Sequence, residues 1–334
     1  MRCVAGSSTD SADVRRIVVT GASGFVGRHA LAHFAARGWL AIGCLRCEPA
    51  REPPTGATFS FVGEVGPATR WDDVLAAGDV IVHCAALAHV HEREAAARVD
   101  DFHRVNVEGT RALAQAAVRA GCRRLVLVSS IGVNGSRTVH GRAFVESDPP
   151  DPRGVYAHSK LLAEQALQQV ASGSALEWSI VRPALVFGPG VTGNVERLLG
   201  LVASGLWLPF GSIDNRRCMV SVAALCELLE LAASHAAATC RVFLAAEAPP
   251  FSTPALVRAL ATGIGRPVRL LSVPPAVLRI AGALTGCAGE VGRLCDSLEI
   301  DASAAREVLG WQPQRSIDER IVDAARAWRR ARLR

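Results

Sequence analysis

The sequence predicts an α/β protein in which helices cover both faces of a doubly wound parallel sheet. Runs rich in Val, Ile and Leu alternate with helical segments through the first half of the chain. These runs show almost no alternation of apolar and polar residues, which is typical of parallel strands buried on both faces. The predicted strands are 16–20, 40–45, 58–62, 79–85, 124–129 and 178–186, and the predicted helices are 26–37, 71–77, 101–120 and 156–172.

The second half of the chain has a different composition, with concentrated prolines and shorter strands. We expect residues 181–334 to form a smaller mixed α/β domain that covers the open end of the sheet. Segments of it can return to the first domain, residues 16–180. Residues 1–15 lack the apolar core of a signal peptide and are interpreted as a flexible extension.

The composition excludes several classes of protein. The net charge is +6, and much of the excess lies in a C-terminal cluster of arginines that we interpret as a solvated helix end. No uninterrupted apolar stretch reaches the ~20 residues that a membrane span needs. The ten cysteines include one CxxC spacing, at Cys44 and Cys47, but two thiols alone do not make a metal site, and the cysteines are expected to be reduced packing residues. We therefore expect a cytoplasmic protein with no membrane span and no nucleic-acid partner.

A glycine-rich turn follows the first predicted strand. Its glycines, spaced GxxGxxG, allow a tight turn and close approach of the backbone to a pyrophosphate, and the next helix offers free N–H groups there. This arrangement predicts a Rossmann fold that binds a dinucleotide. The residues of the turn assigned to the cofactor are Gly21, Ser23, Gly24, Phe25, Val26 and Gly27.

A second motif places Tyr156 and Lys160 four residues apart, on one face of a predicted helix. A lysine ammonium beside a tyrosine is expected to lower the pKa of the phenol, which makes the pair a candidate acid and base. Tyr156 is the only tyrosine in the chain. The preceding strand ends in Ser129 and Ser130, whose hydroxyls are candidates to bind the same substrate oxygen.

The motifs TGASGFVG, HCAALAHV, VNVEGT, LVSSIGVNG, YAHSK and VRPALVFGPG occur in this order. Together they resemble the extended short-chain dehydrogenase/reductase family, which includes nucleotide-sugar epimerases, dehydratases and 4-ketoreductases. The resemblance covers nearly the whole chain after residue 15. The blocks LVSSIGVNG, GPGVTGNVERLL and LPFGSIDNRR most resemble a branch that reduces UDP-linked 4-keto-6-deoxy-N-acetylglucosamine for O-antigen synthesis.

The resemblance implies roles for individual residues. Ser130, Tyr156 and Lys160 match the catalytic residues, with Ser129 as the alternative serine, and Asn106 matches an asparagine beside the site. It also implies that family members form homodimers, here through helices 101–120 and 156–172. The further residues that it implies are Ala85, Ala86 and Pro183 at the cofactor and Asn194 and Arg217 at the nucleotide sugar, with the adjacent Arg216 as the alternative ligand. Apart from the resemblance, we name His89, Val90 and Leu198 as candidates for the sugar pocket.

The end of the second strand bears on the choice of cofactor. NAD-specific relatives carry an acidic residue there, whereas this chain has Leu45 followed by Arg46. An arginine pairs with a 2′-phosphate, so we favour NADP(H), with NAD(H) as the alternative. Glu64 and Val65 are expected near the adenine.

The sequence leaves three functions open. Arg46 favours reduction of a UDP-linked 4-keto-6-deoxy sugar at C4, with Tyr156 as the proton donor. The same residues serve a UDP-hexose 4-epimerase with tightly bound NAD, and a dinucleotide sensor without turnover is an alternative of another class. Dehydration is disfavoured, because Ile131 and Gly132 stand where dehydratases carry acids.

Overall fold

The computed structural model describes residues 15–48, 52–88, 92–139 and 141–333. Most of the predicted N-terminal extension, together with His89 and Val90, lies outside the described residues. The strands are β1 (Arg16–Thr20), β2 (Leu40–Leu45), β3 (Ala57–Phe61), β4 (Val80–His83), β5 (Arg124–Val128), β6 (Glu177–Pro183), β7 (Leu185–Phe187), β8 (Trp207–Leu208), β9 (Arg217–Ser221), β10 (Arg241–Ala245), β11 (Glu247–Phe251) and β12 (Arg269–Leu270).

The α-helices are interspersed with these strands, and a π-helical turn (His103–Glu108) and two 3₁₀ turns (Ile131–Val133 and Ala236–Ala238) accompany them. The α-helices are α1 (Phe25–Ala36), α2 (Glu92–Ala96), α3 (Val99–Phe102), α4 (Gly109–Ala120), α5 (Gly154–Ala171), α6 (Asn194–Ser204), α7 (Val222–Ser234), α8 (Thr253–Ile264), α9 (Pro275–Leu284), α10 (Ala288–Cys295), α11 (Ser303–Leu309) and α12 (Ile317–Arg332).

Seven parallel strands form the central sheet, in the order β3-β2-β1-β4-β5-β6-β10. The chain winds outward from β1 in both directions, so the predicted doubly wound parallel sheet is confirmed. One face packs on α1 and α7 through residues such as Phe34 and Leu225, and the other packs on α4 and α5 through Leu113 and Leu167. The carboxyl ends of all these strands therefore meet at one edge of the sheet.

The second half of the chain contributes to both parts of the molecule. Strand β10 returns to the central sheet and pairs with β6. A separate core forms around α6, α8 and α12, next to a three-stranded sheet (β11-β9-β7) and a two-stranded sheet (β12-β8). The boundary proposed at residue 180 falls inside β6. The chain thus crosses between the two parts more than once.

Two predicted helices differ from the structure. Residues 72–74 form turns instead of the predicted helix 71–77. The carboxylate of Asp79 accepts a hydrogen bond from the Ala76 amide at 2.8 Å, and this side-chain bond competes with a helical backbone bond. The predicted helix 101–120 is interrupted by the π-helical turn, after which the Thr110 hydroxyl donates to the Asn106 carbonyl.

A buried histidine joins the ends of β1 and β4 to α4. The Thr110 hydroxyl donates its proton to the Asn106 carbonyl. Its oxygen must therefore accept a hydrogen bond from His83 Nε2, at 3.0 Å. The other ring nitrogen, Nδ1, then accepts from the Thr20 hydroxyl at 2.6 Å. Burial lowers the pKa of His83 to about 3, and the nearby Lys160 charge acts in the same direction. His83 is therefore neutral and held in a single tautomer.

The buried His83 predicts a loss of stability in mild acid. Between pH 6.5 and about 3, the unfolded chain binds a proton that the folded chain does not. Stability should therefore fall as the pH falls through this window, by up to about 1.4 kcal/mol per pH unit from this residue. Urea unfolding of His83→Gln at about pH 7 and about pH 5 should show a smaller acid loss than wild type. The exposed His103→Gln serves as the control, and equal acid losses in all three proteins would contradict the assignment.

Candidate active site

The glycine-rich turn lies where β1 ends and α1 begins. Gly21 has a φ of +65°, and a Cβ added there would lie 2.7 Å from the Ala85 amide nitrogen. A Cβ at Gly27 would collide with the Gly21 carbonyl. The first turn of α1 contains no acidic residue and no side-chain cap. This cradle leaves helix N–H groups and the positive end of the helix dipole available for an anion.

Tyr156 and Lys160 lie in the first two turns of α5, beside the carboxyl ends of β4 and β5. The Tyr156 ring packs edge-on to Phe102, with ring centroids 6.5 Å apart. Asn106 holds this helix in place by donating to the Ser159 hydroxyl at 2.9 Å and bonding both backbone groups of Leu87. Asn106 is thus a buried bridge between the loop after β4 and α5.

Burial shifts both candidate catalytic groups away from their ordinary pKa values. It raises the pKa of Tyr156 to about 12. It lowers the pKa of Lys160 to about 8, although the carboxylate of Glu164 acts in the opposite direction. The sequence predicted that Lys160 lowers the pKa of Tyr156, but the structure gives a raised pKa. Desolvation of the phenolate has a larger effect than the nearby ammonium. Burial alone therefore favours the neutral phenol form of Tyr156 in this cleft.

The structure separates the two candidate serines. Ser130 is half-buried and lines the cleft, and its Oγ accepts from the Gly132 amide at 3.1 Å. The hydroxyl of the buried Ser129 donates instead to the carboxylate of Glu164. A hydroxyl that is already bound to a buried carboxylate is not free to bind substrate. The geometry therefore favours Ser130 over Ser129 at the reacting oxygen.

We expect Ser130→Ala and Ser129→Ala to have different effects. Ser130→Ala should lower kcat by roughly 10²–10³-fold with little change in Tm, since it removes a hydrogen bond to the reacting oxygen. Ser129→Ala should lower Tm, because the buried carboxylate of Glu164 loses a hydrogen-bond donor. The expected loss in the free energy of unfolding is about 1–3 kcal/mol. Steady-state kinetics and thermal melts of both variants make the comparison. A larger kcat loss in Ser129→Ala would exchange the two roles.

A buried ion pair lies beneath these residues. The Arg182 guanidinium binds both carboxylate oxygens of Glu164, with Nη2–Oε2 and Nε–Oε1 distances of 2.6 and 2.9 Å. Its remaining arm donates to the Asn134 side chain at 3.0 Å. All four side chains of this group (Ser129, Asn134, Glu164 and Arg182) are buried. The group connects β5, the loop after it, α5 and β6.

The charge of Glu164 predicts a shift in the pH profile. Glu164 raises the pKa of Lys160 against the effect of burial. In Glu164→Gln the Lys160 pKa should fall below about 8, and the alkaline limit of kcat should move to lower pH. The profile of kcat against pH measures this shift, and the exposed Glu307→Gln is the matched control. An unshifted alkaline limit in a folded Glu164→Gln enzyme would contradict the coupling.

Two arginines from the second half of the chain, Arg217 and Arg293, line the same cleft as the glycine-rich turn. Arg217 donates to the Asp296 carbonyl at 2.9 Å, and Arg293 lies on α10 beside it. Arg216 is turned away and binds the Glu299 carboxylate at 2.7 Å. Of the two sequence candidates, only Arg217 lines the cleft. Arg293 was missed, because its position depends on how α10 packs across the cleft rather than on a local motif.

The cleft has a volume of about 740 Å³ and brings most of the candidate residues together. The predicted residues that do not line it are Ser23, Arg46, Glu64, Val65, Ala85, Asn106, Leu198 and Arg216, and Leu198 packs instead in the core around α6. Ala85 supports the glycine-rich turn from behind, and Glu64 forms an ion pair with Arg104 at 3.2 Å. Those that line it are Gly21, Gly24, Phe25, Val26, Gly27, Ala86, Ser129, Ser130, Tyr156, Lys160, Pro183, Asn194 and Arg217.

A dinucleotide fits these residues. The cradle at Gly21 and Gly27 leaves no room for side chains, as close approach of a pyrophosphate requires. The same cleft then continues to Tyr156 and Lys160, where a nicotinamide ring would lie beside the candidate acid and base. In the described part of the chain, no group of three or more His, Cys, Asp or Glu side chains could hold a metal ion.

Comparison with known proteins identifies the family. Residues 17–244 match the family described as "NAD dependent epimerase/dehydratase family". The chain belongs to this family. The predicted short-chain dehydrogenase/reductase resemblance is thereby confirmed, and the protein is an NAD(P)-dependent enzyme of epimerase/dehydratase type.

Three relatives illustrate the similarity. A UDP-glucose 4-epimerase from Vibrio cholerae is 35% identical, over 96% of this chain and 97% of its own. The N-acetyl-alpha-D-glucosaminyl-diphospho-ditrans,octacis-undecaprenol 4-epimerase of Escherichia coli O157:H7 is 27% identical, over 77% and 75%. The structure of a UDP-glucose 4-epimerase from Thermus thermophilus in complex with NAD has a TM-score of 0.74 at 22% identity, covering 94% and 99%. That last likeness concerns the fold alone.

Proposed function

We propose that this chain is a 4-epimerase of UDP-linked hexoses. The observation that carries the proposal is a single cleft that joins the glycine-rich turn, the Ser130–Tyr156–Lys160 group and the two arginines, Arg217 and Arg293. The similarity to the Vibrio cholerae UDP-glucose 4-epimerase over nearly the whole chain supports it. Epimerisation therefore takes precedence over the ketosugar reduction favoured by the sequence.

Each wall of the cleft has a separate role in binding. The N–H groups at the start of α1 bind the pyrophosphate of the cofactor. Arg217 and Arg293 bind the diphosphate of the nucleotide sugar, since a planar guanidinium donates pairs of hydrogen bonds to phosphate oxygens. Because both anion sites open into the cleft that holds Tyr156, the sugar is placed between them, beside Tyr156.

The chemistry at C4 is a proton transfer coupled to a hydride transfer. A nicotinamide held in the cleft would supply the hydride acceptor for C4 and the hydride donor for the opposite face of the resulting 4-keto sugar. Tyr156, as the phenolate, removes the proton of the C4 hydroxyl and gives it back when hydride returns. Ser130 donates a hydrogen bond to the same oxygen. The Lys160 ammonium stabilises the phenolate form that burial disfavours.

A second function is favoured by two observations. Burial raises the pKa of Tyr156 and favours its phenol form, which suits donation of a proton to a keto oxygen. Arg46, at the end of β2, is exposed and suits a 2′-phosphate, as NADPH carries. These features favour a reductase of UDP-linked 4-keto sugars, in which the proton is given once per cofactor.

One set of assays distinguishes these functions. The purified enzyme should interconvert UDP-glucose and UDP-galactose, or their N-acetyl forms, without added cofactor, and heat denaturation should release NAD(H). Tyr156→Phe should lower kcat by roughly 10²–10⁴-fold while retaining the nucleotide, because the phenol acts only on the proton. His158→Gln, on the same helix but exposed, is the control.

Two results would contradict the epimerase. Turnover only of a UDP-4-keto-6-deoxy sugar, with stoichiometric loss of NADPH, would assign the reductase instead. Retained nucleotide with no turnover of either substrate would favour the dinucleotide sensor.

The homodimer, the preference for NADP(H) and the cytoplasmic location stay predictions.

A further inference from the structure

Helix α9 is apolar and yet exposed. Its sequence, PAVLRIAGAL, contains one charged residue, Arg279, and Gly282 is the only one of its residues that is fully buried. Val277, Ile280 and Leu284 are exposed to 52%, 62% and 84%. Their spacing of three and four residues places them on one face of the helix. A helix that is apolar around its circumference is normally buried.

A second exposed apolar group lies next to the start of this helix. Strands β8 and β12 pair in parallel, and the Leu271 amide donates to the Leu208 carbonyl at 2.9 Å. This pairing brings Leu271 to the strand that carries Trp207, only a few residues before α9 begins. We define the apolar rim as Leu206, Trp207, Leu271, Val277, Ile280 and Leu284, each of which is at least 44% exposed.

Helix α9, which carries half of the apolar rim, is attached to one wall of the active-site cleft. Helix α9 packs on α10, where Gly282 leaves no room for a Cβ against Val291. Arg279 forms an ion pair with Asp296 at 2.8 Å, and Asp296 lines the cleft together with residues of α10. The rim is therefore joined to the wall that carries Arg293.

The two chain segments that carry the rim contain arginines and no carboxylates, although one of these arginines, Arg279, is paired with Asp296 outside them. Residues 248–289 contain no Asp or Glu, and neither do residues 197–213. The guanidinium of Arg269 lies 5.5 Å from the centroid of the Trp207 ring. A second copy of the same face would bring arginines against arginines, whereas an anionic surface would pair with them. The cations of these two segments are Arg197, Arg258, Arg266, Arg269 and Arg279.

We propose that the apolar rim docks on the surface of an anionic phospholipid bilayer and holds the mouth of the cleft at the lipid headgroups. The arginines contact the headgroups, and α9 lies in the plane of the interface with its apolar face among the acyl chains. Trp207, with an apolar ring beside a cation, suits the headgroup region. No helix of the described residues is long and apolar enough to cross a membrane, so the contact is peripheral.

Sedimentation with vesicles tests the docking on the full chain. The protein should bind vesicles of equimolar phosphatidylglycerol and phosphatidylcholine, and should bind pure phosphatidylcholine vesicles much less. Binding should weaken several-fold between about 50 and about 300 mM salt, since the charges at the headgroups are screened. No binding to the anionic vesicles, or equal binding to both kinds, would overturn the proposal.

Two variants separate the apolar and the cationic contributions. The double variant Ile280→Ser, Leu284→Ser should bind the anionic vesicles at least about tenfold more weakly with an unchanged Tm. Arg266→Gln with Arg269→Gln should also weaken binding and should reduce its salt dependence.

The control removes exposed apolar residues elsewhere. The double variant Leu40→Ser, Val118→Ser alters two exposed apolar side chains at the start of β2 and the end of α4. Both positions lie away from the carboxyl ends of the strands, where the cleft is. It should bind as wild type does, and an equal loss in this control would overturn the assignment to the rim. Light scattering measures the oligomeric state of the same proteins. If Ile280→Ser, Leu284→Ser dissociated an oligomer and the wild type bound no vesicles, the proposal would be overturned and the rim would be a contact between copies of this chain.

Discussion

The buried ion pair between Glu164 and Arg182 is the constraint on which the geometry of the site depends. Two charges removed from water are stable only when they are paired and hydrogen-bonded, and loss of one partner costs about 3–5 kcal/mol. Here each charge also binds a side chain from the catalytic edge, Ser129 or Asn134. One requirement for charge balance thus fixes α5, β5, β6 and the loop that carries Ser130 relative to one another.

Much of the fold was predictable, because local pattern and local chemistry agree there. The strands 16–20 and 40–45 occur as expected, and the glycine-rich turn lies between the first strand and its helix. The spacing of Tyr156 and Lys160 placed both in one cleft, because residues four apart share a helix face. These features depend on residues within a few positions of one another, which a single sequence displays directly.

Features that depend on distant residues were not predictable in the same way. Arg182 and Asn134 are 48 residues apart, and no spacing indicates that their side chains meet. The π-helical turn and the position of Arg293 over the cleft depend on packing between elements. The pKa of Tyr156 was expected to fall because Lys160 is near, but burial, which a local motif does not reveal, has the larger effect.

The hydrogen bonds around His83 form a circuit with a fixed direction. It begins at the amide of Ala85, passes through Thr20, the imidazole and Thr110, and ends at the Asn106 carbonyl. An amide cannot release its proton and a carbonyl cannot keep one, so neither terminus exchanges protons with the cleft. The imidazole of His83 carries no charge, although Lys160 is nearby. A buried histidine at the edge of an active site is often interpreted as catalytic, but His83 instead holds β1, β4 and α4 in a fixed orientation.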